Sequence, residues 1–199
     1  MKKFELTNEF ITNMFGTKLF RIRALVEFGD VEAGELGGYV EKESNLGHDD
    51  NAWVYGNARV YGDAQVSGDA LVCGNALVYD NAWVYGNARV CGDALVCGNA
   101  RVCSDALVCG NARVCSDEDY AYAHGFGSVN RTTTFFRLKD GGVGVRCGCF
   151  YGTLAQFRDK IRETHGETKK AQEYLMLADL MELRFEEDEN EVGNRKYVE

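Results

Sequence analysis

The sequence predicts a mainly β fold: a left-handed parallel β-helix of six-residue repeats, with an N-terminal β cap and a C-terminal α+β appendage. Two regularities predict the helix. Valine recurs every six residues from Val54 to Val114, and an alanine precedes each valine by two residues, from Ala52 to Ala112. The chain also contains no proline, which favours uninterrupted backbone pairing because proline cannot donate to a strand ladder.

A period of six excludes an α-helix, because six residues of an α-helix turn through about 600° and would spiral the valines around its surface. A short strand followed by a tight corner fits instead. Alanine and valine then point to the same side, while Gly followed by Asn or Asp makes the corner. Three such sides close an 18-residue coil, so the repeats from Val54 to Val114 predict about four coils.

The N-terminal residues 1–45 are predicted to form a β cap on the helix, which itself spans residues 46–118. Strands are expected around Lys3–Leu6 and Lys18–Phe28, separated by a turn at Gly16. Val40 and Leu46 are again six residues apart. The register therefore predicts that an insertion of two residues lies within Gly47–Asp50, just before the regular repeats.

Residues 119–199 are predicted to form the appendage, a hairpin and two helices. The hairpin pairs Thr133–Leu138 with Gly142–Phe150, and this places the thiols of Cys147 and Cys149 on opposite faces of one strand. Thr153 with Gln156 forms a capping box that opens the first helix, and Gly166 ends it. The second helix runs from Thr168 to Phe185, followed by a frayed acidic tail, Glu186–Glu191.

The charge balance and the lack of an export signal predict a cytoplasmic protein. With 22 basic and 31 acidic side chains the formal charge is −9, which disfavours direct binding to nucleic acid or to anionic membranes. Six of the eight cysteines share one slot of the repeat with tyrosine and serine, so we expect reduced thiols rather than disulfides. These cysteines form straight columns, whereas zinc requires a tetrahedron, so no metal site is predicted.

The repeats over residues 46–116 resemble the hexapeptide-repeat superfamily, whose fold is the left-handed β-helix. The order LGGYVEKESNL, then NAWVYGNARVYG repeats, then CGCFYGT and a helix resembles uncharacterised proteins carried by bacteriophages and prophages. That resemblance implies a setting in the host cytoplasm and no particular activity. Fold alone does not define function.

The resemblance to hexapeptide-repeat proteins implies one enzymatic alternative, an acyltransferase that uses acetyl-CoA. Such enzymes employ a histidine as general base toward a hydroxyl or amine. In this chain His124, just after the last coil, is the candidate base, and Arg101 and Arg113 are available for the coenzyme phosphates. However, no histidine lies among the uninterrupted repeats, and no projecting loop interrupts them. We therefore expect no catalytic residue and no cofactor in the preferred interpretation.

The outward positions of the repeats favour a non-catalytic binding protein, and the phage resemblance suggests an accessory or counter-defence role. Large aromatic side chains and arginine are enriched in binding hot spots. The partner is expected to be a host protein or a small ligand. The predicted binding residues are Trp53, Tyr55, Leu71, Trp83, Tyr85, Arg89, Arg101 and Arg113.

Two further interpretations of the outer surface remain open. The apolar faces are also compatible with packing in a homo-oligomer, a dimer or trimer, or beneath the C-terminal appendage. The corner acids offer another possibility, since regularly spaced negative charge can imitate DNA toward a DNA-binding protein. Those acids are Asp63, Asp69, Asp93, Asp105 and Asp117.

Overall fold

The computed structural model describes residues 2–127 and 130–186. Its central part is a parallel β-solenoid of about four coils, as the repeat predicts. Eleven two-residue strands lie on three sheets, and neighbours within a sheet are parallel strands that come from successive coils. These strands are β4 (Trp53–Val54), β5 (Arg59–Val60), β6 (Gln65–Val66), β7 (Leu71–Val72), β8 (Leu77–Val78), β9 (Trp83–Val84), β10 (Arg89–Val90), β11 (Leu95–Val96), β12 (Arg101–Val102), β13 (Leu107–Val108) and β14 (Arg113–Val114).

The three sides of the solenoid are named by their strands. The first face consists of β4, β7, β10 and β13, the second face contains β5, β8, β11 and β14, and the third face consists of β6, β9 and β12. The repeated valines and alanines point inward and are almost fully buried. This grouping of side chains into three faces confirms the predicted coil of three repeats.

Corners between the faces depend on left-handed backbone. Gly92 has φ +72°, and a Cβ there would lie 2.9 Å from the Gly110 nitrogen of the next coil. Asp80 and Ser104 adopt the same conformation at φ +59°, which short polar side chains tolerate better than most. The slot after each corner glycine carries Asn or Asp, and these side chains bond from coil to coil, as in Asn75 Nδ2 to Asp93 Oδ1 at 3.0 Å.

The N-terminal segment extends the second face. It contains β1 (Phe4–Thr12), β2 (Lys18–Ala24) and β3 (Leu36–Val40), which pair antiparallel in sequence, and β3 then pairs in parallel with β5. The result is a seven-stranded sheet. Val40 lies opposite Val60, and Leu46 opposite Val66. In the sequence, the two residues of each pair are separated by the length of one coil plus two residues. This confirms the predicted two-residue insertion.

The C-terminal segment is a four-stranded antiparallel sheet with two helices. Its elements are β15 (Tyr120–Phe126), β16 (Arg131–Arg137), β17 (Val143–Cys147), β18 (Phe150–Thr153), α1 (Leu154–His165) and α2 (Lys169–Phe185). The capping box is confirmed, because Gln156 N donates to Thr153 Oγ1 at 3.3 Å and Thr153 N donates to Gln156 Oε1 at 2.9 Å. Both predicted helices are present. Of the predicted acidic tail, residues 187–191 lie outside the described residues.

One predicted strand of the appendage is wrong. Residues 142–150 form not a single strand but β17 and β18, which are joined by a two-residue turn at Gly148 and Cys149. Gly148 has φ +58°, a conformation that a strand residue does not adopt. Cys147 is therefore the last residue of β17 and is half-buried, whereas Cys149 lies in the turn and is exposed. The two cysteines do not alternate across one strand.

The appendage closes the last coil. Leu107 N donates to Thr134 Oγ1 at 3.0 Å, and Lys139 Nζ donates to the Asp93 carbonyl at 2.6 Å. The bond to Leu107 satisfies a backbone group that would otherwise be left unpaired at the end of the solenoid. No helix in the described ranges is long and apolar enough to span a membrane.

Candidate interaction surface

The third face is the side of the solenoid that carries exposed aromatic residues. Trp83 is 45% exposed and Tyr85 is 36% exposed, and no other large hydrophobic side chain between residues 53 and 115 is exposed to that extent. Arg101, one coil further along the same face, is also exposed. Its guanidinium carbon lies 5.8 Å from the centre of the Trp83 ring, within the range of a cation–π contact.

The backbone beneath Arg101 is held by groups that replace a missing strand. β12 is the last strand of the third face, so one edge has no neighbour in the sheet. The Asp117 carboxylate accepts from Arg101 N at 2.7 Å, and the Tyr120 hydroxyl donates to the Arg101 carbonyl at 2.5 Å. Because the amide and the carbonyl of Arg101 are both hydrogen-bonded, no further strand can pair with the sheet edge at Arg101. The surface there is rigid.

Tyr122, beyond the last repeat, continues this surface. Tyr122 is 41% exposed, and its hydroxyl lies 2.9 Å from Ser104 Oγ. Its ring stacks on that of Tyr120 at 6.4 Å between centroids. A hydrogen bond with Cys103 raises the pKa of Tyr85, so this phenol stays protonated near neutral pH. We call Trp83, Tyr85, Arg101 and Tyr122 the third-face cluster.

Trp53 is not available for binding, contrary to the prediction. It is fully buried because the N-terminal segment covers the start of the first face. The Phe4 ring lies 6.2 Å from the Trp53 ring and the Phe28 ring lies 5.3 Å from it, both in edge-on arrangements. Tyr55 and Leu71 are half-buried against the same core, and burial raises the pKa of Tyr55.

The remaining predicted residues divide among the faces. Trp83, Tyr85 and Arg101 come together on the third face, whereas Arg89 is exposed on the first face and Arg113 on the second. Tyr122 was missed because the repeat has ended there, and the six-residue register gives no outward position for it. The position of Tyr122 becomes apparent only once β15 has been placed beside the last coil.

His124 lies in β15, and the side chain is exposed. Its Nδ1 is 2.9 Å from Thr132 Oγ1. A general base is usually oriented by a carboxylate or carbonyl on its second nitrogen, whereas among the described residues His124 bonds to this hydroxyl. The acyltransferase interpretation therefore rests on resemblance rather than on an assembled site.

The corner acids are engaged in local bonds. Asp69 accepts from Asn51 Nδ2 at 2.7 Å, and Asp105 accepts from Asn87 Nδ2 at 3.0 Å, each from the preceding coil. Asp63 forms an ion pair with Lys42. These contacts explain why Asn and Asp recur at the corners without invoking a DNA-like function, which stays a prediction.

A separate cavity of about 270 Å³ lies in the appendage, between the Gly148 turn and the two helices. Buried Phe157, Ile161 and Tyr174 form its apolar part, while exposed Arg131 and Lys160 contribute positive charge. Burial raises the pKa of Tyr174 to about 12.

Within the described ranges, no group of three or more His, Cys, Asp or Glu side chains is placed to hold a metal ion.

The cysteine slot contains one disulfide, contrary to the prediction of reduced thiols. Cys97 and Cys115 occupy the same slot in successive coils of the second face and are joined by a disulfide. Stacking of coils places equivalent slots next to each other, so two cysteines in one column are close enough to be linked, with Cα atoms 4.3 Å apart. The six other cysteines are free thiols: Cys73, Cys91, Cys103, Cys109, Cys147 and Cys149.

Comparison with known families agrees with this architecture. The YdcK beta solenoid repeat matches the chain at residues 52–68 and 70–86, two stretches within the regular coils. No curated protein matches the chain significantly. Fold and repeat match together define the class of this protein as a β-helix repeat protein.

Proposed function

We propose that this protein is a non-catalytic binding protein that recognises a partner protein through the third-face cluster. The observation that carries the proposal is the pairing of exposed Trp83 and Tyr85 with Arg101 on a rigid solenoid face that neither flank covers. Exposed aromatic residues beside an arginine are the composition of interface hot spots.

Rigidity adds to the affinity that such a surface can reach. Binding is weakened when loops or side chains must be ordered at the interface, and a preformed surface avoids that cost. The backbone of the third face is fixed by coil-to-coil hydrogen bonds such as Trp83 N to the Ala100 carbonyl at 2.9 Å. Arg101 is already held over the Trp83 ring, so it is placed to meet a carboxylate of the partner.

The resemblance to proteins of bacteriophages and prophages supports a host protein as the partner. In that setting the chain acts in the host cytoplasm as an accessory or counter-defence protein. The formal charge of −9 favours partners with a basic surface around the contact, because complementary potentials increase the rate of association.

The proposal is tested by purifying tagged protein from a bacterial lysate and measuring the affinity of the captured partner by calorimetry. Trp83→Ala and Arg101→Ala should each weaken binding about 30-fold or more, because hot-spot residues contribute about 2 kcal/mol. Arg89→Ala is the matched control, since Arg89 is exposed on the first face. It should change the affinity less than twofold.

Two results would replace this proposal. If Trp83→Ala changes the molar mass measured by light scattering and no partner is lost, the third face is a contact between copies of this chain. If the protein gains mass with acetyl-CoA in native mass spectrometry, and His124→Ala removes both that gain and an acyl-transfer activity, the chain is an acyltransferase.

A second candidate function is the binding of a small ligand in the cavity of the appendage. Among the described residues, the lining includes Arg131, Lys160 and His165 and no carboxylate, although the protein as a whole is acidic. This combination of an apolar floor with positive charge suits a small molecule that has an apolar body and an anionic group. A ligand of this kind would appear as a co-purifying mass in the same native experiment.

A further inference from the structure

A column of three thiols runs along the first face, independent of the third-face cluster. Cys73, Cys91 and Cys109 occupy the same slot in consecutive coils. Parallel hydrogen bonds fix their register, with Cys73 N donating to the Val90 carbonyl at 2.9 Å and Cys91 N to the Val108 carbonyl at 3.0 Å. Neighbouring strands lie about 4.8 Å apart, within the Cα separation that a disulfide requires.

The second face shows that this slot permits cross-linking between coils. Cys97 and Cys115 occupy equivalent positions in successive coils. Their Cα atoms are 4.3 Å apart, and a disulfide joins them. The first-face column has the same spacing but three members, so one disulfide always leaves one thiol over. Cys91, the middle member, is the only one of the three with a cysteine on both sides.

The three thiols have different surroundings. A hydrogen bond from Cys91 and the positive charge of Arg146 on β17 lower the pKa of Cys109. A hydrogen bond with Cys91 and burial raise the pKa of Cys73. A hydrogen bond with Cys109 raises the pKa of Cys91. Cys109 is buried, with 6% of its surface exposed, whereas Cys73 and Cys91 are half-buried. A reagent therefore reaches Cys91 more easily than Cys109.

We infer that Cys91 and Cys109 form a redox-modification site, which low-molecular-weight disulfides oxidise to an intramolecular disulfide. Cys91 is the entry thiol, and Cys109 is the resolving thiol. The inference does not depend on the binding function proposed above, because the first face and the third face are separate sides of the solenoid.

The reaction balances with glutathione disulfide as the oxidant. Cys91 loses its proton to solvent, and its sulfur attacks glutathione disulfide, forming a mixed disulfide and releasing one glutathione thiolate, which takes up a proton. The Cys109 thiolate then attacks the Cys91 sulfur and releases the second glutathione thiolate, which also takes up a proton. Two protein thiols lose two protons and two electrons, and one glutathione disulfide becomes two glutathione molecules.

The test incubates the folded protein with glutathione disulfide, traps free thiols in acid, and maps linked tryptic peptides by mass spectrometry without reduction. Cleavage after Arg89, Arg101 and Arg113 places Cys91 on residues 90–101 and Cys109 on residues 102–113. Cys97 shares the first of these peptides, so the assay is run in the Cys97→Ser, Cys115→Ser background as well. The expected product links the two peptides.

Serine variants separate the roles of the three thiols. They should fold, because Ser67 already occupies this slot on the third face, and far-ultraviolet circular dichroism checks that they do. In Cys73→Ser, the rate of formation should stay within twofold of the wild-type rate. In Cys109→Ser, we expect glutathione to remain on Cys91, with at least a tenfold loss in the rate of intramolecular linkage.

Cys103→Ser is the matched control. Cys103 lies on the third face, where Tyr85 occupies the equivalent position one coil before it, so its replacement should leave the linkage unchanged. The inference is overturned if Cys91 pairs with Cys73 as fast as with Cys109. It is also overturned if Cys91 is no more modified than Cys103 and no linkage appears.

Discussion

The chain carries the same decapeptide twice, NAWVYGNARV at 51–60 and again at 81–90, and the two copies have different environments. Trp53 in the first copy is fully buried, whereas Trp83 in the second is 45% exposed. The copies start five repeats apart, and since a coil contains three repeats, this is not a whole number of coils. The first tryptophan therefore lies on the first face and the second on the third face.

The local structure of the two copies is nevertheless the same. Both tryptophans begin a two-residue strand, and both are followed by a buried valine, an outward tyrosine and a left-handed glycine. The difference arises from distant parts of the chain, because Phe4 and Phe28 cover Trp53 while Trp83 contacts Arg101. The repeat thus determines whether a side chain points inward or outward, and the flanking segments determine which outward side chains remain exposed.

The largest effect that separates the copies should be on stability. Trp53→Ala removes a ring enclosed by the N-terminal segment and should lower the free energy of unfolding by about 3–5 kcal/mol. Trp83→Ala should lower it by about 1 kcal/mol or less, because the ring is half in solvent and its main described contact is one cation–π pair. Urea unfolding followed by circular dichroism measures both.

Tyr55→Ala and Tyr85→Ala provide a second matched pair for this comparison. Tyr55 is half-buried and Tyr85 is exposed, so the first should again be the more destabilising. Equal losses for the two tryptophan variants would mean that the N-terminal segment contributes little to stability. The explanation for the buried tryptophan would then fail.

The same contrast explains what the sequence could reveal in advance. The strands, the three faces and the outward placement of Trp83, Tyr85 and Arg101 follow from a strict period of six, since every coil repeats the same local geometry. The burial of Trp53 does not follow from it, because an identical decapeptide elsewhere is exposed. Only contacts with residues far away in the sequence distinguish the two.

The appendage has no period, and its prediction is correspondingly less complete. The two helices are predictable because Thr153, Gly166 and Thr168 are local start and stop signals. The turn at Gly148 was missed, since residues on either side alternate like a continuous strand and the turn depends on pairing Cys147 with Phe150. Tyr122 joined the candidate surface only because β15 lies against the last coil.

A smaller effect should appear in the pH dependence of stability, because the segment that covers Trp53 contains a buried lysine. Lys3 Nζ donates to the carbonyls of Asp50 and Ala52 at 3.2 and 2.9 Å. Burial lowers its pKa from 10.5 to about 8, although the charges of Asp50 and Asp49 partly oppose the shift. The cation is therefore less favourable in the folded chain than in the unfolded chain.

The sign of the effect follows from proton binding. Between pH 8 and pH 10.5 the unfolded chain holds the Lys3 proton and the folded chain releases it, so the folded state gains stability as pH rises. The destabilisation caused by Lys3 is fully present below pH 8. The gain across this window should be on the order of 2 kcal/mol.

Lys3→Met isolates this contribution, because tyrosines and cysteines also titrate at alkaline pH in both proteins and cancel in the difference. We expect wild-type stability, measured by urea unfolding, to rise relative to Lys3→Met between pH 8 and pH 10.5. Below pH 8 the difference between the two should be constant. A constant difference across the whole range would show that Lys3 is solvated in the folded protein, and that the cover over Trp53 is more open than its buried contacts indicate.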